Sequence, residues 1–595
     1  MLSATLNYPL DAAHIIKKRQ KIKKELIGEL ANPLTKRIAI MGGSTTNELV
    51  SLIEIFLLHA NIQPIFYQSE YAQYFEESIF DNPKLKEFKP DVIYIYTTSV
   101  NIKGFPRISD TSPMIEEKLR FETESYCRIW DSLEKEYQCP IIQNNFDYPI
   151  NRPLGNLDCC LEIGKTNFLL NLNLFFAKAS RERRNLFISD INYLSSFVGL
   201  REWFDKNLWY SYKYAISYTG LVHLAKNISI ILKSIFGKSK KCLVLDLDNT
   251  CWGGVIGDDG IDNIQIGNET AVGQAHQALQ KYIIELKERG VVLAVCSKND
   301  DNMARTGFSH PDSVLKISDF ASFKANWKPK HENLVDICNE IKILPDALVF
   351  IDDNPMERDL VSQHLEEVGV PDIGHDIANF VEFIDREGYF EPVQLSHDDM
   401  KRSEYYQGNS QRNNYQAEFS DYNEYLVSLQ MESEIATFSP LYAERIAQLT
   451  NKTNQFNLTT KRFTLDEIKR MMSLNSEYIC LYGKLRDKFG DNGLISVVIG
   501  RIEKQNELHL DLWLMSCRVI KRGMEFAMLD ALMKLVANRN IDTVYGYYIE
   551  SPNNTMVKNL YRDFGFTCIE KNDSASKWIF EGDYKNKNKI IKVHL

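Results

Sequence analysis

The chain reads as a multidomain α/β protein ending in an α+β region, and three observations predict this. Over the first two thirds, short apolar runs that end in polar residues alternate with amphipathic stretches, the rhythm of parallel sheets covered by helices. The last third changes rhythm, with long strand-like runs such as Leu508 to Met515 beside helical stretches such as Glu525 to Ala537. A length of 595 residues, at roughly 150 per domain, fits three large domains or about four.

Taken in order, Asp11 to Leu30 is a basic amphipathic helix carrying Lys17, Lys18, Arg19, Lys21, Lys23 and Lys24. The apolar run from Arg37 enters a Gly42-Gly43-Ser44 turn, an amphipathic stretch follows from Asn47 to Ala60, and a second run lies at Ile65 to Tyr67, which together make a βαβ unit. Runs after Pro90 and Cys139 add two strands around a helix from Met114 to Tyr137. The first domain, 1–236, is therefore doubly wound. After the polar link Gly237-Lys-Ser-Lys-Lys, runs at Lys241, Gly290 and Ala347 predict a second parallel sheet in 237–395, with helices from Gln274 to Arg289 and His331 to Ile341. A helical linker is expected over 396–430 and an α+β domain over 431–595. No fixed-period repeat occurs.

The net charge of -10 has the wrong sign for a protein that wraps nucleic acid. Eleven cysteines form no CxxC pair, and Cys159 and Cys160 are adjacent, so reduced thiols and a cytoplasmic location are expected. The N-terminal residues lack the basic-then-apolar order of a signal peptide, and no run of eighteen uncharged apolar residues occurs, so no membrane partner is expected.

Chemistry concentrates in the middle domain. Asp246-Leu-Asp248-Asn-Thr250, then Ser297-Lys298-Asn299, then Asp352-Asp353-Asn354-Pro355 each follow a parallel strand, and ligands of open α/β sheets bind beyond the carboxyl ends of strands. Four carboxylates on one spot repel each other, which favours a hard cation held by oxygen, such as Mg²⁺. A nearby Ser and Lys suit a phosphoryl group. Lys328 and Lys330 both precede the helix into the third strand, and Lys330 is the better placed candidate.

DLDNT, a Ser after the second strand, a Lys and IDDNP, in that order, resemble the four motifs of the haloacid dehalogenase (HAD) superfamily. The resemblance implies Asp246 as nucleophile, Asp248 as general acid and base, and Thr250, Ser297 and Lys330 as phosphate-holding groups. Asp246, Asp248, Asp352 and Asp353 are then the metal-side carboxylates. KCLVLDLDNTCWGGVIGDDG, FKANWKPKHENL, VFIDDNPMERD and NKTNQFNLTTKRFT look like the FkbH-like branch of subfamily IIIC. That branch implies a phosphorylated short acyl donor of the glyceryl (1,3-bisphosphoglycerate) type, loss of phosphate, and delivery of the acyl unit to an acyl carrier protein thiol in secondary-metabolite biosynthesis. Too few residues separate the motifs for a folded cap, so the site is open to a large acceptor. Cys251 and Cys296 are candidates for carrying the acyl group, with a small buried hydrophobe as the alternative for each.

The last domain resembles the GNAT acyltransferase fold, in which a Gly-rich turn at a helix N-terminus meets a pyrophosphate. Arg518, Lys521, Arg522 and Gly523 form that turn here, with Lys521 where the middle Gly is expected, so phosphopantetheine or coenzyme A is the implied ligand. Glu525, Asn553, Asn554 and Tyr561 are further polar candidates. The first domain resembles the SGNH-hydrolase fold, with Ser44 in a Gly-Gly-Ser turn where the family has Gly-Asp-Ser. No Asp-x-x-His follows, and His223 is a weak substitute base. Three readings stand side by side: an FkbH-like acyltransferase and phosphatase, a plain Mg²⁺-dependent phosphatase of a biosynthetic cluster, and a non-catalytic scaffold that binds a carrier protein.

Overall fold

The computed structural model describes every residue except 1, 394, 396–404, 406–407, 409–410, 413–414, 417, 454, 504–505, 517–518, 552–553, 573 and 595. Most of the stretch 396–418 thus lies outside the described residues, and with it the first part of the expected helical linker. The helix Tyr422–Ser428 lies within the remainder. The chain divides into two compact units, Met1–Ser239 with Phe383–Val393, and Lys240–Glu382 with Gln394–Leu595.

The first unit holds a parallel sheet of β1 (Leu34–Gly42), β2 (Ile62–Gln68), β3 (Val92–Tyr96), β4 (Ile141–Asn144) and β5 (Leu186–Ser189), in the order β2-β1-β3-β4-β5. Successive residues point to opposite faces: Ile38 and Ile40 pack into one buried core, Ala39 and Met41 into the other. Both faces are covered by helices, which is why these strands read as unbroken apolar runs. The returning segment Phe383–Val393 is pinned by Lys226, whose ammonium lies 3.1 Å from Glu387 with both side chains buried. Ser234 and Ser239 hydroxyls donate to the Glu391 carbonyl.

The second unit holds two sheets. The smaller has β6 (Cys242–Leu245), β7 (Val292–Ser297), β8 (Phe320–Ala325) and β9 (Leu348–Ile351), all parallel, in the order β8-β7-β6-β9. Three of these strands are expected from sequence; the edge strand β8 is additional. Because the chain leaves β6 toward β7 on one side and returns to β9 on the other, the carboxyl end of β6 is a topological switch point, the place where such sheets bind ligands.

The larger sheet comprises β10 (Glu432–Thr437), β11 (Tyr478–Asp487), β12 (Gly490–Glu503), β13 (Glu507–Met515), β14 (Thr543–Ile549), β15 (Thr567–Lys571), β16 (Ala575–Glu581) and β17 (Lys592–His594). Strands β10 to β13 form an antiparallel meander, helix Met524–Asn538 crosses over to β14 parallel to β13, and β15 and β16 complete that side. This mixed sheet, whose parallel pairs are β13–β14 and β10–β17, is the α+β arrangement expected of a GNAT-like domain. Among the described residues, no helix is long and apolar enough to cross a membrane.

Candidate active site at the carboxyl edge of β6–β9

Asp246 is the first residue beyond β6, and its N–H donates to the Ile351 carbonyl at 2.9 Å, which locks it against the end of β9. The chain then turns tightly: Thr250 and Cys251 N–H groups both return to the Leu247 carbonyl, and Asn249 adopts a left-handed φ of 53°. This turn aims Asp246 and Thr250 at the loop after β9. There the Thr250 hydroxyl accepts from the Asp353 N–H at 3.2 Å and lies 3.4 Å from its carboxylate.

Lys330, in the first turn of helix Lys330–Ile341, crosses the edge of the sheet to meet two carboxylates. Its Nζ lies 3.1 Å from Asp246 Oδ1 and 2.5 Å from Asp352 Oδ2, and only 4% of its side chain is exposed. Burial works against the ammonium, but the two adjacent carboxylates outweigh it and hold its pKa above the ordinary lysine value. Lys328 is elsewhere: its exposed ammonium is 3.8 Å from Asp336. Between the two lysines left open by the sequence, the geometry brings Lys330 to the carboxylates.

Asp246, Asp352 and Asp353 each offer an oxygen within 4.8 Å of the others, and their donor set is all oxygen. Burial is the larger cause, and Asp246 the second, of the rise in Asp352's pKa to about 7; the Asp353 carboxyl is pushed up for the same two reasons. Three crowded carboxylates against one ammonium leave negative charge to be met by a hard cation, so these residues fit Mg²⁺. Asp248 stands outside this group, which corrects the expected set of four. Its Oδ1 accepts from Trp252 Nε1 at 2.9 Å and the Ile256 N–H at 3.1 Å, and its Oδ2 accepts from Asn299 at 2.9 Å. Burial still raises its pKa despite these donors. With both oxygens engaged by these donors and set apart from the other three carboxylates, Asp248 is placed for proton transfer rather than for ligation.

Several supporting residues were not singled out by sequence. Arg358, buried, donates to the carbonyls of Asp352 and Asp353 at 2.8 and 2.9 Å and so clamps that loop. From helix Ala271–Glu288, His276 Nδ1 lies 2.9 Å from the Thr250 carbonyl and Gln280 donates to the Cys251 carbonyl at 2.9 Å. Ser297 ends β7 and is buried, while its neighbour Lys298 turns away to pair with Glu357 at 2.5 Å.

Cys251 and Cys296 do not fit the role of acyl carrier. Both are fully buried, and their thiols donate to the carbonyls of Asp246 and Lys330. Burial, reinforced for Cys251 by Asp246 and Asp248, pushes both thiols well above the ordinary cysteine range. A thiol that is neither ionised nor accessible cannot act as nucleophile, so both are packing residues.

In the third sheet, Arg518 and Asn553 lie outside the described residues. Lys521 is exposed with φ 66°, and Gly523, φ 81°, caps helix Met524–Asn538. Arg522 is sequestered: its guanidinium lies 3.2 Å from the fully buried Asp487, which Arg412 grips at 2.8 and 2.9 Å. Burial, followed by the charge of Arg412, lowers Arg522 to about 10. Tyr561 and Asn554 are buried as well. In the first unit, Ser44 lies buried after β1, and Asn101 donates to the Gly43 carbonyl at 2.7 Å. The Ser44 hydroxyl faces Tyr96 and has no histidine partner among the described residues, while His223 stands edge-on to Phe197. The arrangement shows no base for a serine nucleophile.

Residues 37–233 match the family model of the FkbH N-terminal domain. The N-terminal part of protein BF1531 from Bacteroides fragilis, described as containing a phosphatase domain and complexed with Mg, is 28% identical. The likeness covers 63% of this chain and 99% of that one with a TM-score of 0.59. The ribosomal-protein-S18-alanine N-acetyltransferase of Escherichia coli is 12% identical over 26% of this chain and 98% of its own, TM-score 0.21. The PaiA N-acetyltransferase of Thermoplasma acidophilum, in complex with coenzyme A, is 17% identical over 25% and 99%, TM-score 0.20. No curated protein matches the chain.

Proposed function

We propose that the carboxyl edge of β6–β9 is a Mg²⁺-dependent phosphoryl-transfer site of the HAD type. On this reading it strips phosphate from a phosphorylated three-carbon acyl donor, whose acyl unit then passes to the pantetheine thiol of an acyl carrier protein. The observation that carries the reading is the meeting of Asp246, Asp352 and Asp353 around the buried Lys330. The similarity to a phosphatase domain crystallised with Mg supports it. Asp246 attacks phosphorus, the bond from phosphorus to the donor oxygen breaks, and Asp248 gives its proton to that oxygen. Asp248 then takes a proton from the water that attacks the aspartyl phosphate and releases inorganic phosphate. Bound at Asp246, Asp352 and Asp353, Mg²⁺ supplies positive charge against the phosphoryl oxygens. With both nearby cysteines buried, acyl transfer proceeds directly: the phosphoryl group that Asp246 takes is the one esterified to the donor's hydroxyl, while the carrier thiol attacks the carbonyl of the donor's acyl phosphate, the C–O bond to that second phosphate breaks, and phosphate leaves with the thiol proton.

The test follows from Asp352. Its folded-state pKa is about 7, above the ordinary value of 3.8. The cation-free folded protein therefore binds a proton that the unfolded chain releases, and it loses that stabilisation as pH rises from the ordinary carboxylate range through about 7. A cation at this site competes with the same proton. Mg²⁺ affinity should thus rise up to about tenfold per pH unit below 7 and level off above it. Thermal melts of stripped protein with added Mg²⁺ should show a larger stabilisation at pH 8 than at pH 6, and EDTA should stop phosphate release. Full activity in excess EDTA, with metal content checked, counts against the reading.

A further inference from the structure

The parallel pair β13 and β14 stays in register only from Glu507↔Thr543 to Leu510↔Gly546, after which the carboxyl halves of the two strands part. Parted parallel strands expose backbone N–H and carbonyl groups that must find partners. The chain supplies them itself. The segment Phe456–Leu458 enters the opening antiparallel to β13: Leu458 N–H donates to the Trp513 carbonyl at 3.0 Å, and Met515 N–H donates to the Phe456 carbonyl at 2.9 Å. On the other side, Ile549 N–H donates to the Leu458 carbonyl at 2.8 Å, so one short segment is bonded to both strands.

Side chains fix the segment in place. The Asn554 amide donates to the carbonyls of Asn457 and Ile549 at 2.8 and 2.9 Å, tying the segment to β14. The Thr459 hydroxyl donates to the Asp511 carbonyl at 2.7 Å, tying it to β13. Phe456, Asn457, Leu458 and Thr459 are all buried.

The turn at the start of helix Met524–Asn538 is equally ill suited to a diphosphate. Arg522 is committed to Asp487. In the first helical turn stands Glu525, whose buried Oε2 has no hydrogen-bond partner among the described residues. A second anion at this helix end would meet the carboxylate already there.

We infer that the third sheet does not bind coenzyme A or another pantetheine-bearing cofactor, because Phe456–Leu458 occupies as a built-in strand the opening where an extended diamide chain would pair. Such a chain binds a sheet by adding main-chain hydrogen bonds to unpaired strands, and here the Trp513 carbonyl and the Met515 and Ile549 N–H groups are taken. The inference stands independently of the phosphatase reading. Taken together with that reading, it means that a carrier protein's pantetheine arm is received outside the third sheet.

Titration calorimetry of the full chain with coenzyme A and acetyl-coenzyme A, paired with hydrogen exchange at the Leu458, Met515 and Ile549 amides, tests it. The expected result is slow exchange at all three amides, unaltered by either compound at up to ~1 mM. Saturable binding that leaves those amides unchanged places the ligand elsewhere and agrees with the inference. Saturable binding that alters their exchange, or rapid exchange at Leu458 and Ile549 in the free protein, overturns it. Loss of phosphatase activity affects neither readout, so failure of this inference and failure of the proposed function are told apart.

Discussion

Asp246→Asn should lower phosphate release by at least ~1,000-fold while the protein remains folded, because the substitution removes an anionic nucleophile at almost constant volume. The residue is held by its backbone bond to Ile351, which the substitution does not touch. Removing its charge also relieves Asp352, whose pKa Asp246 helps to raise, so the thermal midpoint of the cation-free protein at neutral pH should not fall. Phosphate-release kinetics and a thermal melt check both halves. Unchanged turnover would remove Asp246 from the chemistry.

Lys330→Met has the second largest expected effect, and it acts on stability as well as on rate. Lys330 is the ammonium that Asp246 and Asp352 share, and all three side chains are buried. Deleting one partner of a buried ionic group typically costs about 3–5 kcal/mol, because the remaining charges stay buried and uncompensated. The sign of the pH dependence follows. Lys330 lowers the Asp352 pKa, so in the variant Asp352 retains its proton to higher pH. Destabilisation should be smaller at pH 5–6, where Asp352 holds its proton and only Asp246 loses its partner, and should grow toward pH 9. Activity should fall by roughly 100-fold or more, since a preorganised cation beside the phosphoryl group is lost. Lys328→Met, which removes only an exposed ammonium 3.8 Å from Asp336, should change stability by less than about 0.5 kcal/mol. Denaturant unfolding of both variants at pH 6 and 8.5 is the check, and equal effects would contradict the placement of Lys330.

What the sequence made legible follows from where the chemistry sits. Asp246 and the Asp352-Asp353 pair each follow an apolar run, so strand ends in a parallel sheet were enough to bring them together. Lys330 could not be separated from Lys328 by spacing alone; the choice depends on which of the two points inward from the first turn of a helix. The diversion of Asp248 away from the carboxylate group was not legible, because it requires Trp252 and Asn299 to fold over it, and Asn299 lies 51 residues away. Arg358 carries no signal in sequence as a clamp, since its partners are backbone carbonyls.

The missed strands have physical reasons too. Strand β8 sits at a sheet edge and exposes Lys324 to pair with Glu340, so it lacks the unbroken apolar character of its neighbours. Strand β5 has four residues and follows the charged stretch Arg181 to Arg184, which masks it. The stretch NKTNQFNLTT was visible as a family resemblance, but its place between β13 and β14 depends on hydrogen bonds that span more than fifty residues. Local pattern carries no information about such pairings.

The most direct test of the central claim is one reaction: full-length protein, Mg²⁺, a phosphorylated three-carbon acyl donor and a pantetheinylated acyl carrier protein, followed by intact mass of the carrier and by released phosphate. The predicted result is a carrier heavier by one acyl unit free of phosphate, with release of the ester phosphate lost in EDTA and in Asp246→Asn. An unaltered carrier with phosphate release retained would reduce the account to a phosphatase, and ester-phosphate release that persists in Asp246→Asn or in EDTA would contradict it at its centre.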